Sequence, residues 1–122
     1  MKTVAIVGAS NDRSKFGNKA LRAFKAEGYQ VIPVNPNEPV VEGISTYASV
    51  LDIPDALDMA TVYVPPDVTL RLLDEFASKG IAEIWVNPGA EDDAVIAEAR
   101  RLGLKAIFAC SIIGIGQSPA NF

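Results

Sequence analysis

Small residues followed by positive charge open the chain's chemistry: Gly8-Ala9-Ser10 closes an apolar run, Arg13 and Lys15 come next, and Gly17 begins a helical pattern. Side chains this small let a backbone turn tightly and approach a ligand closely. A helix beginning near Ser14 to Phe16 would aim its free N–H groups and the positive end of its dipole back at that turn. With two cations beside it, the arrangement suits an anion, and a phosphate-type ligand is expected. The dinucleotide fingerprint is only partly present, because Ser10 stands where its second glycine would be and Gly17 arrives several residues late. A purely structural strand-to-helix turn is the competing reading.

Composition removes many other chemistries. Histidine is absent, which excludes a catalytic triad, a His-ligated metal and a phosphohistidine intermediate. Cys110 is the single cysteine, so neither an internal disulfide nor a cysteine-based metal cluster can form, and no metal site is expected. Its thiol is read as a small buried hydrophobe rather than a reactive group. Eleven Lys and Arg against fifteen Asp and Glu give a net charge of −4, which disfavours nucleic acid and anionic membranes as partners. Asp12 and Glu91 lie near the expected site without a second acid–base group or nucleophile, and are read as capping and solvated residues. Trp85 is read as core.

The elements that must hold the turn follow from the pattern. Val4 to Val7 is a continuous apolar run, which suits a parallel strand covered on both faces. Gly17, Ala20, Leu21 and Phe24 mark the buried stripe of the first helix, ended by Gly28. A second strand runs through Val31 to Pro36, although Pro33 brings no amide donor to it. Between Asn37 and Asp58 the pattern is irregular, with a brief extended segment at Val41 to Ser45 and a short helix near Tyr47 to Leu51. Ala60 to Val64 is the third strand, and Pro65-Pro66-Asp67 starts a helix whose expected apolar stripe is Val68, Leu72 and Phe76, flanked by Leu73 and Ala77. Ile81 to Val86 is the fourth strand, ending in the turn Asn87-Pro88-Gly89. A helix with acidic residues in its first turn and Arg100 and Arg101 in its last leads to a fifth strand at Ala106 to Phe108. The glycine-rich tail from Ser111 to Phe122 is left unassigned.

Five short strands separated by helices predict a single α/β domain over residues 1–122. It has a Rossmann-like three-layer fold and a five-stranded parallel sheet in the order 3-2-1-4-5. Such a sheet binds ligands at the carboxyl ends of its strands. One rim then gathers Gly8, Ala9 and Ser10, Asn35 and Pro36, Val64 and Pro65, Asn87 and Gly89, and Cys110. An NAD site would place an acid at the end of the second strand to hold the ribose, and Asn35-Pro36 stands there instead.

With these segments in order, the chain resembles the small stand-alone CoA-binding domain family and, more distantly, the CoA-binding domain of the succinyl-CoA ligase alpha subunit. The likeness runs from Val4 to about Cys110. It rests on Val7-Gly-Ala-Ser10 with the following Lys15-x-Gly17, on Val31-Ile-Pro-Val-Asn-Pro36, on Ala60-Thr-Val-Tyr-Val-Pro-Pro66, and on Ile84-Trp-Val-Asn-Pro-Gly89. The resemblance implies that Gly8, Ala9 and Ser10 contact phosphate and that Lys15 partners the diphosphate. Asn35 and Pro36 would lie on the adenosine side, Val64 and Pro65 would pack against the nucleotide, and Val86 to Gly89 would flank the cofactor. No Lys or Arg lies between Gln30 and Val64, so the CoA 3′-phosphate would need a cation from elsewhere, such as Arg13. The ligase subunit's active-site histidine has no counterpart, and ligase chemistry does not carry over.

The expected function is non-catalytic binding of coenzyme A or a short acyl-CoA at the strand ends. The alternatives are an NAD(P)-binding regulatory domain and a small enzyme acting on a CoA thioester. The strand pattern begins at Thr3, which predicts no signal peptide and a cytoplasmic chain. Whether it forms a homodimer is open.

Overall fold

A computed structural model describes residues 1–122. The first apolar run becomes strand β1 (Thr3–Val7), and all five of its residues are buried. Its side chains alternate between two cores. Val4 and Ile6 join a cluster with Ala20, Leu21 and Phe24 of helix α1 (Phe16–Ala26). Ala5 and Val7 face the other way and pack with Leu73 and Phe76 of α2 (Pro66–Lys79) and Val95 of α3 (Asp93–Arg101). Helices therefore cover both faces of the sheet, as an all-parallel sheet requires.

The remaining strands of that sheet are β2 (Gln30–Val34), β5 (Met59–Val62), β6 (Glu83–Val86) and β7 (Ala106–Ile107). A separate two-stranded antiparallel ribbon, β3 (Val40–Val41) and β4 (Ile44–Ser45), falls where the sequence suggested an extended segment. The short helix expected near Tyr47 to Leu51 is a 3₁₀ turn at Val50–Asp52. The tail forms a four-residue helix, α4 (Ser111–Gly114), and a 3₁₀ turn at Pro119–Asn121. Ile112 and Phe122 pack it against the α1 side of the sheet. No helix is long and apolar enough to cross a membrane.

The α/β class and the five parallel strands are as the sequence predicts, but the strand order is not. The sheet runs β2-β1-β5-β6-β7, so the third principal strand lies beside the first instead of beyond the second. Pro33 supplies the physical reason. The Val34 carbonyl accepts from the Gly8 amide on the β1 side, whereas the Pro33 carbonyl accepts from the Tyr47 amide on the outer side. Since successive residues of a strand face opposite edges, the missing Pro33 amide points outward, where no ladder bond is lost. A proline in this register belongs on an edge strand. The interior slot goes to β5, which is buried throughout.

Helix α2 differs from expectation in one respect. Its buried face is Thr69, Leu73 and Phe76, whereas Val68 and Leu72 are only half-buried. Those two apolar residues sit one step around the helix and line the cleft described next.

Candidate binding cleft

At the carboxyl ends of β1, β2 and β5 the surface opens into a cleft with two sections, of about 540 and 430 Å³. They share Gly8, Lys15, Tyr63, Val64 and Pro65, so the turn after β1 is the point where the sections meet. The larger section extends over Val34, Asn35 and Pro36 toward Leu72 of α2, and the smaller toward Phe16, Pro66, Pro88 and Gly89.

Glycine is required twice at this junction. Gly8 has φ +89°, and a Cβ there would lie 2.7 Å from the Tyr63 carbonyl oxygen. A Cβ at Gly17 would lie 2.3 Å from the Gly8 carbonyl oxygen, so α1 starts in direct backbone contact with the turn. The Gly8 amide donates to the Val34 carbonyl (3.0 Å), but the amides of Ala9, Ser10, Phe16 and Gly17 find no acceptor within the chain. Lys15 occupies the N-cap of α1 without a side-chain cap bond, and the first helical turn carries no acid. By contrast, α2 has Asp67 in its first turn, and α3 is capped by Asp92, which accepts from the Val95 amide (2.9 Å). Unpaired N–H groups, a positive dipole end and an ammonium beside an acid-free turn favour an anion.

The loop that follows is braced from two directions. Ser10 Oγ accepts from the Asp12 amide (3.0 Å), while the Asp12 carboxylate accepts from the Ser14 hydroxyl (2.6 Å) and amide (3.0 Å). Those Ser14 hydrogen bonds hold the Asp12 carboxyl below its ordinary range. From the ribbon, Glu42 reaches across to Arg13 (3.2 Å) and to the buried Asn18 amide (3.2 Å). Asn11 completes the bracing by donating to the Val40 carbonyl (2.7 Å) and accepting from the Glu42 amide (3.1 Å). Glu42 adopts φ +48°, a left-handed conformation unusual outside glycine, and these bonds hold it there. Arg13 is thus turned to the ribbon and does not line the cleft.

Residues 2–115 match the sequence model of a family described as the CoA binding domain. The chain belongs to that family. It is 39% identical over 133 aligned residues to acetate–CoA ligase (ADP-forming) II of Archaeoglobus fulgidus, covering 99% of this chain and 20% of that protein. With the alpha subunit of acetate–CoA ligase (ADP-forming) II of Pyrococcus furiosus it shares 30% identity over 129 residues, 97% of this chain and 28% of the subunit. The chain therefore spans less than a third of either ligase relative. Among solved structures, a conserved hypothetical protein of Pyrococcus furiosus superimposes with a TM-score of 0.85 at 32% identity, covering 93% of this chain and 99% of that one.

This CoA binding domain brings most of the sequence-derived candidates together. Gly8, Ser10, Lys15, Asn35, Pro36, Val64 and Pro65 line the larger section, and Gly17 and Gly89 line the smaller. Asn35 also fixes the turn, since its amide donates to the Ala9 carbonyl (2.7 Å) while its oxygen accepts from the Asn37 amide (2.8 Å). Three candidates lie outside the cleft lining. Ala9 is fully buried, Arg13 is paired with Glu42, and Asn87 is buried with its side chain fully engaged. Asn87 donates to Thr61 Oγ1 (2.7 Å) and the Val62 carbonyl (3.0 Å) and accepts from the Ser111 amide (2.8 Å).

Tyr63, Glu38 and Arg71 line the cleft without having been singled out by sequence. The Tyr63 hydroxyl bonds Ser111 Oγ (2.9 Å), and burial pushes its pKa above the usual tyrosine value, so the phenol stays protonated at neutral pH. Glu38 follows β2 by four positions, and its carboxylate accepts from Asn11 Nδ2 (3.1 Å). Cys110 and Trp85 are half-buried against the α1-side core, with Trp85 Nε1 donating to Glu83 (2.6 Å) and its ring closely opposed to Gly114.

Proposed function

We propose that this domain binds coenzyme A, free or carrying a short acyl group, across the two sections of the cleft, and that it does so without catalysis of its own. One observation carries the reading. The sections meet at Gly8 to Lys15, where amides without acceptors, the start of α1 and an ammonium form one concave anion site. A diphosphate placed there sends the nucleoside into the larger section, where Val34, Val64 and Leu72 offer apolar walls for a flat base. The pantetheine arm then follows the smaller section past Phe16, Pro66 and Pro88. Family membership supports the same ligand.

The non-catalytic part of the reading is supported by the side chains in the cleft. The carboxylates that line it are held in structural hydrogen bonds: Glu38 accepts from Asn11, and Glu75 accepts from the Ser49 hydroxyl, which itself caps the 3₁₀ turn by accepting from the Leu51 amide.

One feature favours a second reading, an NAD-type dinucleotide: Glu38 places a carboxylate in the larger section beyond the end of β2, where a ribose could use it. Isothermal titration of the purified chain with CoA, acetyl-CoA, NAD and NADP separates the two. Saturable binding of CoA or acetyl-CoA with no heat from NAD is expected. Binding of NAD alone would overturn the CoA reading. Turnover of acetyl-CoA by the purified chain would contradict the absence of catalysis.

A further inference from the structure

The larger section of the cleft is lined by a solvent-exposed cation that forms no ion pair within the chain. Arg71 lies on α2, one turn beyond Asp67 and beside Leu72, and lines that section but not the smaller one. Apart from Lys15 at the junction, it is the sole basic residue of the lining. The ion pairs in the structure are Arg13 with Glu42, Arg101 with Glu98 and Lys105 with Glu83, so Arg71 has no carboxylate partner. It makes no hydrogen bond either. Glu75, four residues on and geometrically able to pair with it, instead receives the Ser49 hydroxyl. Glu38, the other acid of this section, is engaged by Asn11. No further cation comes from β2, the ribbon or the loops up to Tyr63, which contain no Lys or Arg.

Building on the CoA reading above, we propose that Arg71 binds the 3′-phosphate of the CoA ribose and makes the domain select CoA over its 3′-dephospho form. Orientation gives the assignment its content. With the diphosphate at the turn and the base against Val34, Val64 and Leu72, the ribose 3′ position falls in the section that Arg71 lines. A guanidinium presents paired N–H donors that match two phosphate oxygens, and one left without a partner loses no ion pair when it binds. Lys15 and Arg71 then divide the ligand's charge between them. The first serves the diphosphate, common to both forms, and the second serves the phosphate that distinguishes them.

The test is a pair of calorimetric titrations, with CoA and with 3′-dephospho-CoA, on the full chain and its variants Arg71→Gln, Arg71→Lys and Lys15→Gln. The unaltered chain is expected to prefer CoA by about tenfold or more, the scale of one charge-assisted bidentate contact. Arg71→Gln should bind both ligands as the unaltered chain binds dephospho-CoA, and Arg71→Lys should keep part of the preference. Lys15→Gln should weaken both by the same factor and leave their ratio intact. Equal affinities in the unaltered chain, a preference that survives Arg71→Gln, or an equal loss of both ligands in that variant would overturn the assignment to Arg71 alone. Failure of the unaltered chain to bind either ligand would overturn the CoA reading itself, and the assignment with it.

Discussion

The turn after β1 and the turn after β6 lie on the same edge of the sheet, and both place small or turn-forming residues at the carboxyl end of a buried strand. They use their polar groups in opposite ways. At the first, the amides of Ala9, Ser10, Phe16 and Gly17 are left without acceptors. At the second, Asn87 saturates itself inside the protein, joining Thr61 and Val62 of β5 to Ser111 of α4, while Ser111 also meets Thr61 (2.7 Å) and Tyr63 (2.9 Å) through its hydroxyl. A turn on this edge can serve a ligand only through the groups it leaves unpaired. A turn whose donors are all answered internally serves instead as a joint, and Asn87 fastens the tail to the sheet. Gly89 reaches the cleft only as a wall.

If the second turn is a joint, its loss should appear in stability before it appears in affinity. Asn87→Ala leaves the buried Ser111 amide without an acceptor and takes one of two hydrogen bonds from Thr61 Oγ1, and should cost roughly 2 kcal/mol of unfolding free energy in urea titrations, the largest effect expected here. The folded fraction should still bind CoA. The first turn should behave in the reverse sense. Lys15→Gln, at an exposed position, should leave the melting temperature unchanged and weaken CoA binding by about tenfold, roughly 1.4 kcal/mol. A smaller loss is expected from Glu42→Gln, which removes the ion pair that braces Arg13 and should lower CoA affinity about two- to threefold by loosening the loop without touching the ligand.

The smallest effect concerns Tyr63, which stands between the two turns. Its pKa is raised in the folded chain by burial, above the 10.0 of a free tyrosine. The unfolded chain therefore loses this proton first, and the contribution of Tyr63 to stability is whole below about pH 10 and declines as pH rises beyond it. Alkaline unfolding should be shallower in Tyr63→Phe than in the unaltered chain. In an absorbance titration of the folded chain, Tyr63→Phe should remove a phenol that ionises above the ordinary tyrosine value.

Much of this was legible in the residues. Val4 to Val7 and the Gly17, Ala20, Leu21, Phe24 stripe specify β1 and α1 because a continuous apolar run and a helical period have few other uses. The turn between them was legible for the same reason. Strand order was not, because a missing amide at Pro33 is compatible with a weakened strand as well as with an outer one, and only its partners decide which. On α2, apolar residues that line a cleft look the same in sequence as those that fill a core, and Val68 and Leu72 line the cleft. Asn87 and Arg13 show a different limit. Both have the residue type of a binding group, and what removes them is a partner distant in sequence, Ser111 for one and Glu42 for the other. Arg71 shows the converse, since what distinguishes it is the lack of an ion-pair partner, which no sequence pattern displays.

If the domain binds CoA as proposed, the open turn after β1, and not the closed one after β6, receives the ligand. Residue-resolved amide shifts of the isotopically labelled chain during a CoA titration test this most directly. Saturable shifts that are largest at Ala9, Ser10, Phe16 and Gly17, with the Asn87 side-chain amide little changed, are the predicted result. Shifts centred on Asn87 and its hydrogen-bonded partners, or none that saturate, would contradict it.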